Sequence, residues 1–219
     1  MNEVDKVKES KEVQALIAKS DEYLEKVGYT AHGLEHVQEV AERAEKIAKS
    51  IGLSYEDTQT AIISAYLHDI GNFMGRENHQ LSGALLAYNI LKDLDFDINF
   101  ISKVMTAIAS HDETNSEITD KVSAVLILAD KSHVHKQRVR EKSPFNFDIH
   151  DKVNYAVQES NIVVYPSKQE IWLSLLIDTN ISKVLDYFEI FLKRMLLCKK
   201  AASFLGYNFH LKINDSILY

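Results

Sequence analysis

The chain has 219 residues, of which 46% are hydrophobic and 26% charged, and its net charge is −7. Those proportions describe a globule that buries a sizeable core without staples, and the acidic balance argues against a broad nucleic-acid-binding surface. Cys198 is the single cysteine and excludes an internal disulfide. No apolar run approaches the roughly 18 residues of a membrane span, and the polar start from Met1 to Lys11 lacks a signal-peptide pattern. A cytoplasmic enzyme or binding protein, with no membrane and no nucleic acid as partner, is expected.

Apolar residues at helical spacing (Val13, Leu16, Ile17, Leu24) predict a helix over Val4 to Val27. Thr30 is expected to cap the next helix, which carries His36, Val40, Ala44, Ile47 and Ile51 on one stripe and stops at Gly52. Ser54 with Asp57 resembles a capping box. It opens a helix whose apolar run, Ala61 to Leu67, ends in His68-Asp69-Ile70-Gly71. Further helices fit Gln80 to Leu94, Ile98 to Ser110 and Glu117 to Val134. After Ser143-Pro144 the pattern changes. Val153, Tyr155 and Val157 alternate with polar residues, and Ile162 to Tyr165 is β-branched and aromatic. Pro166-Ser167-Lys168 reads as a turn and Ile171 to Ile177 as a strand. Asn180 to Phe204 reads as a long amphipathic helix closed at Gly206, and Phe209 to Ile213 as a third strand. The expectation is a mainly α fold: a helical domain over 1–143, then a small α+β appendage over 144–219 with antiparallel strands and one long helix.

The chemistry lies in histidines and aspartates that close apolar helices. A lone His-Asp pair such as His68-Asp69 is ordinarily just a helix end. His36, however, falls in phase with the apolar stripe of its own helix, and an inward histidine needs a partner. Asp130 ends the apolar run Val125 to Ala129, where an uncompensated carboxylate costs several kcal/mol. A cation answers that cost. His111 ends one apolar helix and His79 opens another.

In that order, His36, His68-Asp69, His79, His111 and Asp130 resemble the HD superfamily of metal-dependent phosphohydrolases. Leu67-His68-Asp69-Ile70-Gly71 looks like its signature, His36 with Val40-Ala41 like its first-histidine helix, and Ile127-Leu128-Ala129-Asp130 like its closing aspartate. The resemblance covers roughly Thr30 to Arg140, and Asn72 stands where many members carry lysine. It implies a helical metal site in which His36, His68, Asp69 and Asp130 hold one divalent ion (Fe, Mn, Zn or Ni, with Mg an option). His79 and His111 would hold a second, bridged by Asp69. A hydroxide activated by the metals, ideally bridging them, would attack phosphorus. His68, Asp69 and Lys131 are the expected catalytic groups. His32 precedes His36 by one helical turn and is the alternative first ligand. The Val40-Ala41 phase favours His36, which leaves His32 as a wall residue behind the ligands.

Cations for the phosphate are sought in Arg76, Lys131, His135 and Arg138, the last three sharing one face at helical spacing. A solvated basic helix end is the plainer account of those three. The expected substrate is a small, nucleotide-like phosphate ester. Two alternatives use the same side chains: a di-iron oxygenase of a small polyol or phosphonate, and a non-catalytic metal or nucleotide sensor. The appendage carries no readable motif. It is expected to cover the pocket mouth or to pair two subunits.

Overall fold

Two segments carry runs with almost no polar residue, 61–67 and 122–129, and a helix without a polar face must lie in the middle of a bundle. In a computed structural model of the protein, which describes residues 2–114, 117–140 and 147–219, they do. Among these residues the order is α1 (Glu3–Glu9), α2 (Lys11–Lys26), α3 (Leu34–Ser50), α4 (Tyr55–Leu67), a 3-10 turn (Ile70–Met74), α5 (His79–Asp93), α6 (Ile98–Ala109), α7 (Lys121–Lys131), a 3-10 turn (Lys136–Arg138), α8 (Ile149–Ala156), β1 (Val157–Tyr165), β2 (Glu170–Ile177), α9 (Val184–Phe204), β3 (Asn208–Ile213) and β4 (Ser216–Ile217). α4 packs against α3, α6 and α7, and α7 against α3 and α9. None of the helices described is long and apolar enough to cross a membrane.

The expected fold class, a mainly helical bundle followed by a small α+β appendage, holds. Its details are corrected in several places. The first predicted helix is two helices, broken at Ser10, whose Oγ caps α2 by accepting from the Val13 amide. α3 begins at Leu34 after Gly33, so Thr30 is not its cap and His32 lies ahead of the helix. Residues 149–156 are helical and only Val157 begins a strand. Asp148 caps that helix at the Asp151 amide (2.8 Å), and Val153, Asn154 and Ala156 are the residues it buries. The long final helix starts at Val184, where Asp186 reaches back to the Lys183 amide at 3.1 Å. The sheet order is β1-β2-β3-β4, with β2 and β3 parallel, so the sheet is mixed rather than wholly antiparallel. The parallel pair follows from α9, which crosses between those strands and packs on β3. The predicted boundary at 143/144 lies outside the described residues. One apolar cluster nevertheless runs from Val4 through α7 and α9 to Ile213.

Arg43 joins the two parts. It is buried on α3, and donates from Nη1 to the Ser132 carbonyl (2.9 Å) just past α7 and from Nη2 to the Ser160 carbonyl (2.7 Å) on β1. Its Nε meets Glu39 at 2.7 Å. Arg43→Ala takes a donor from both carbonyls, although the Ser132 carbonyl keeps the Ser160 hydroxyl, and a buried group left unpaired costs about 1–3 kcal/mol. Thermal melting is expected to drop by about 5–10 °C. An unchanged melting temperature would remove Arg43 from this role.

Candidate metal centre

The elements that end at the bundle centre deliver the side chains. α4 stops at Leu67, so His68 and Asp69 follow from a fully buried helix end. Asp130 sits near the end of α7, His36 on the first turn of α3, His79 at the start of α5, and His111 just beyond α6. All six are buried. Their imidazoles and carboxylates converge. Asp69 Oδ2 lies 3.2 Å from His68 Nε2 and 3.6 Å from His36 Nε2. Asp130 Oδ1 lies 3.4 Å from His36 Nε2 and 3.6 Å from His68 Nε2. The other oxygen of Asp69, Oδ1, lies 3.4 Å from His79 Nε2 and 3.9 Å from His111 Nε2.

The backbone orients the rings. His68, His79 and His111 each turn Nδ1 to a carbonyl, of Ala65 (2.7 Å), Arg76 (2.9 Å) and Ile108 (2.6 Å). The carbonyl partners assign the proton to Nδ1 and aim Nε2 at the centre, the arrangement that suits a metal ligand. His36 instead meets His133 through Nδ1–Nδ1 at 2.9 Å, with the rings stacked. The Nε2 atoms of His36 and His68 are buried, within ion-pair range of two carboxylates, and make no hydrogen bond. His36, His68 and Asp130 form one group, and His68, Asp69 and His111 another, whose ligand atoms lie within 4.8 Å of one another. Either group could hold a metal ion.

The electrostatics of three of the four rings agree with that reading. Burial lowers His36, His79 and His111, which keeps these rings neutral and able to ligate. Burial opposes charge on His68 too, but the Asp69 and Asp130 carboxylates outweigh it and push its pKa up to about 10. For the two aspartates burial works against ionisation. His68 and His36 nevertheless hold Asp69 well below the usual carboxylate range, and Lys131 with His36 and His68 does so for Asp130. Lys131 Nζ lies 2.8 Å from Asp130 Oδ2 and 3.4 Å from Glu113 Oε1, and that Glu113 oxygen lies 3.0 Å from Arg194 Nε on α9. A chain of alternating charges, buried at Asp130 and Lys131 and half-buried at Glu113 and Arg194, thus runs to the appendage.

The predicted phosphate cations lie apart from one another. α7 ends at Lys131, so Lys131, His135 and Arg138 share no helical face. Lys131 is spent on Asp130 and Glu113. His135 Nε2 meets the Gln158 carbonyl at 3.0 Å. Arg138 is buried and donates to the carbonyls of His133 (2.9 Å) and Ala31 (3.1 Å). Arg76 keeps 24% of its side-chain surface and lies 3.6 Å from Asp69 Oδ1. His32, expected one turn before His36 on a helix, reaches it from a loop instead, with ring centroids 5.3 Å apart. Asn72 was not among the sequence candidates. Its Nδ2 donates to Asp69 Oδ1 (2.8 Å) and to the Asp69 carbonyl (2.9 Å), and holds that carboxylate in place. Its position directly after the signature glycine was the available signal.

Two cavities flank the cluster. One of about 770 Å³ reaches His36, His133 and Arg138. The other, about 870 Å³, is lined by Tyr23, Tyr29, Arg76, Asp112 and Glu113.

A family model described as HD domain matches residues 33–134, the stretch that supplies all six converging side chains. The chain carries an HD domain. It is 31% identical to an uncharacterized protein of Methanocaldococcus jannaschii over 52% of this chain and 52% of that one, so it spans about half the length of this relative. It is also similar to a crystal structure of a predicted HD superfamily hydrolase from an uncultured Thermotogales bacterium. That likeness has 29% identity, covers 60% of this chain and 73% of the other, and has a TM-score of 0.43. Within the HD domain the ligand cluster draws on five helices. Beyond residue 134, Arg138 and the α9 residue Arg194 extend its surroundings.

Proposed function

We propose that this chain is a metal-dependent phosphohydrolase acting on a small, nucleotide-like phosphate ester. The observation that carries the reading is the pair of buried Nε2 atoms, on His36 and His68, that face two ionised carboxylates without a hydrogen bond. Such a cluster is costly unless a cation satisfies it. Imidazole and carboxylate donors together suit Fe, Mn, Zn or Ni, with Mg a poorer match. When bound there, a divalent ion supplies Lewis acidity toward phosphoryl oxygens and brings the ionisation of water into the neutral range.

The chain's own residues prepare that chemistry. Asp69 divides its oxygens, Oδ2 toward His36 and His68 and Oδ1 toward His79 and His111. Asn72 fixes the orientation of that carboxylate, and Lys131 keeps Asp130 ionised. The cavity beside Arg76 is within the range of small-ligand sites, roughly 300–1,000 Å³. Tyr23 and Tyr29 on its wall offer aromatic faces, and stacking of a base on such a face contributes about 1–3 kcal/mol. These features support a nucleotide-like substrate.

The test is metal analysis of the purified protein, followed by bis-p-nitrophenyl phosphate and a panel of nucleotides. Phosphate release that a chelator abolishes and a divalent ion restores is the expected result. Oxygen uptake by the iron-loaded protein without phosphate release would transfer the site to oxygenase chemistry. A protein that retains metal and turns over nothing would be a sensor.

A further inference from the structure

The half of the centre that faces His79 and His111 has a feature the other half lacks. Their Nε2 atoms stand 3.2 Å apart, and both rings have given Nδ1 to a backbone carbonyl. Two imidazole lone pairs and the anionic Oδ1 of Asp69 therefore converge on one space, and three acceptors at such range need a positive charge between them. A cation is already there. Arg76 Nη1 lies 3.2 Å from His79 Nε2 and 3.6 Å from Asp69 Oδ1. Asn72 Oδ1 accepts from the same nitrogen at 2.9 Å, and the guanidinium lies 5.8 Å from the centre of the Tyr29 ring.

Arg76 also precedes His79 by three residues, in the short link between the 3-10 turn at 70–74 and α5. Its carbonyl orients the His79 ring while its side chain folds back onto the same ring's far nitrogen. Among the described residues no cation bridges His36 and His68, whose Nε2 atoms make no hydrogen bond, and Lys131 meets only the other oxygen of Asp130.

We propose that the Arg76 guanidinium is the resident cation of the His79–His111–Asp69 half of the centre and excludes a second metal ion from it. The first ion, held by His36, His68, Asp69 and Asp130, then works beside a fixed organic cation in place of a metal partner. The inference rests on reading the cluster as a metal centre and is independent of the reaction catalysed.

Ion counting tests it directly. Equilibrium dialysis against Mn(II) is expected to give one ion per chain for the unaltered protein. Arg76→Met keeps the length and removes the charge; it should take two, the second at least about tenfold tighter than in the parent, because a like charge in contact has gone. Arg76→Lys, which retains the charge, should stay at one. Arg76→Met combined with His79→Ala should return to one, which places the gained ion on His79. Two ions of similar affinity in the parent protein, or one in Arg76→Met, would overturn the proposal while leaving the metal centre standing. Binding by none of these proteins would overturn both. Melting curves of each variant establish that the count refers to folded protein.

Discussion

Asp69→Ala is expected to strip the protein of metal and of the proposed phosphohydrolase activity together. Asp69 is the one carboxylate that faces both halves of the centre, with Oδ2 3.2 Å from His68 Nε2 and Oδ1 3.4 Å from His79 Nε2. Without it, Asp130 alone opposes the positive charge of an ion, and Lys131 already claims one oxygen of Asp130 at 2.8 Å. Loss of a group that merely supports a ligand costs about 10–100-fold in metal affinity or activity. Loss of Asp69 itself should exceed that range, leaving metal at trace level and phosphate release at background. Elemental analysis and the bis-p-nitrophenyl phosphate assay measure the two quantities. A variant that keeps a full complement of metal and hydrolyses at the parent rate would sink the assignment of Asp69.

The second large effect is one of space. A Cβ on Gly71 would lie 2.2 Å from the His79 carbonyl oxygen and 2.5 Å from the Gly83 amide nitrogen. Both are backbone atoms of α5 and cannot rotate away. Overpacking in a core ordinarily costs about 1–3 kcal/mol. Here an entire helix must move, so Gly71→Ala should cost about 4 kcal/mol or more, and lower the melting temperature by about 10 °C or more. It should also weaken metal binding, since the 3-10 turn that α5 packs on begins directly after Asp69. Gly83 is the built-in control. Its added Cβ would meet the His68 carbonyl oxygen at 3.3 Å and the Gly71 nitrogen at 3.5 Å, which small shifts can relieve. Gly83→Ala should therefore melt much closer to the parent. Equal melting temperatures for parent and Gly71→Ala would refute the close-approach argument.

Much of this was legible because a buried polar residue on an apolar helix is a local anomaly. His36 breaks the stripe of α3, Asp130 closes the apolar run of α7, and His68-Asp69 follows the buried end of α4. Such anomalies need no knowledge of long-range contacts. What escaped the sequence depends on such contacts. His32 shares a helical spacing with His36, yet the backbone there is tied to distant partners. The His32 amide donates to Asp21 at 2.6 Å and the Ala31 amide to the Arg138 carbonyl at 2.7 Å, so the helix begins later. The basic run after Asp130 looked like a continuing helix, but Arg43 takes the Ser132 carbonyl and the chain turns away. His133 meets His36 across 97 residues, and Glu113 acquires its meaning from Lys131 and from Arg194 on another element. At Val153, Tyr155 and Val157 the apolar alternation suggested a strand, and an aspartate cap decided for a helix over Ile149–Ala156.

The charge chain from Asp130 through Lys131 and Glu113 to Arg194 bears on how the HD domain is used as a module. Arg194 lies sixty residues past the end of the 33–134 match. Excising the matched segment would leave Glu113 without Arg194. It would also bare the flank of α7 that α9 packs against. The piece that carries the six converging side chains of the candidate centre is thus not a portable cassette. A graft of this centre onto another scaffold, or a minimal version of the protein, has to bring α9 with it.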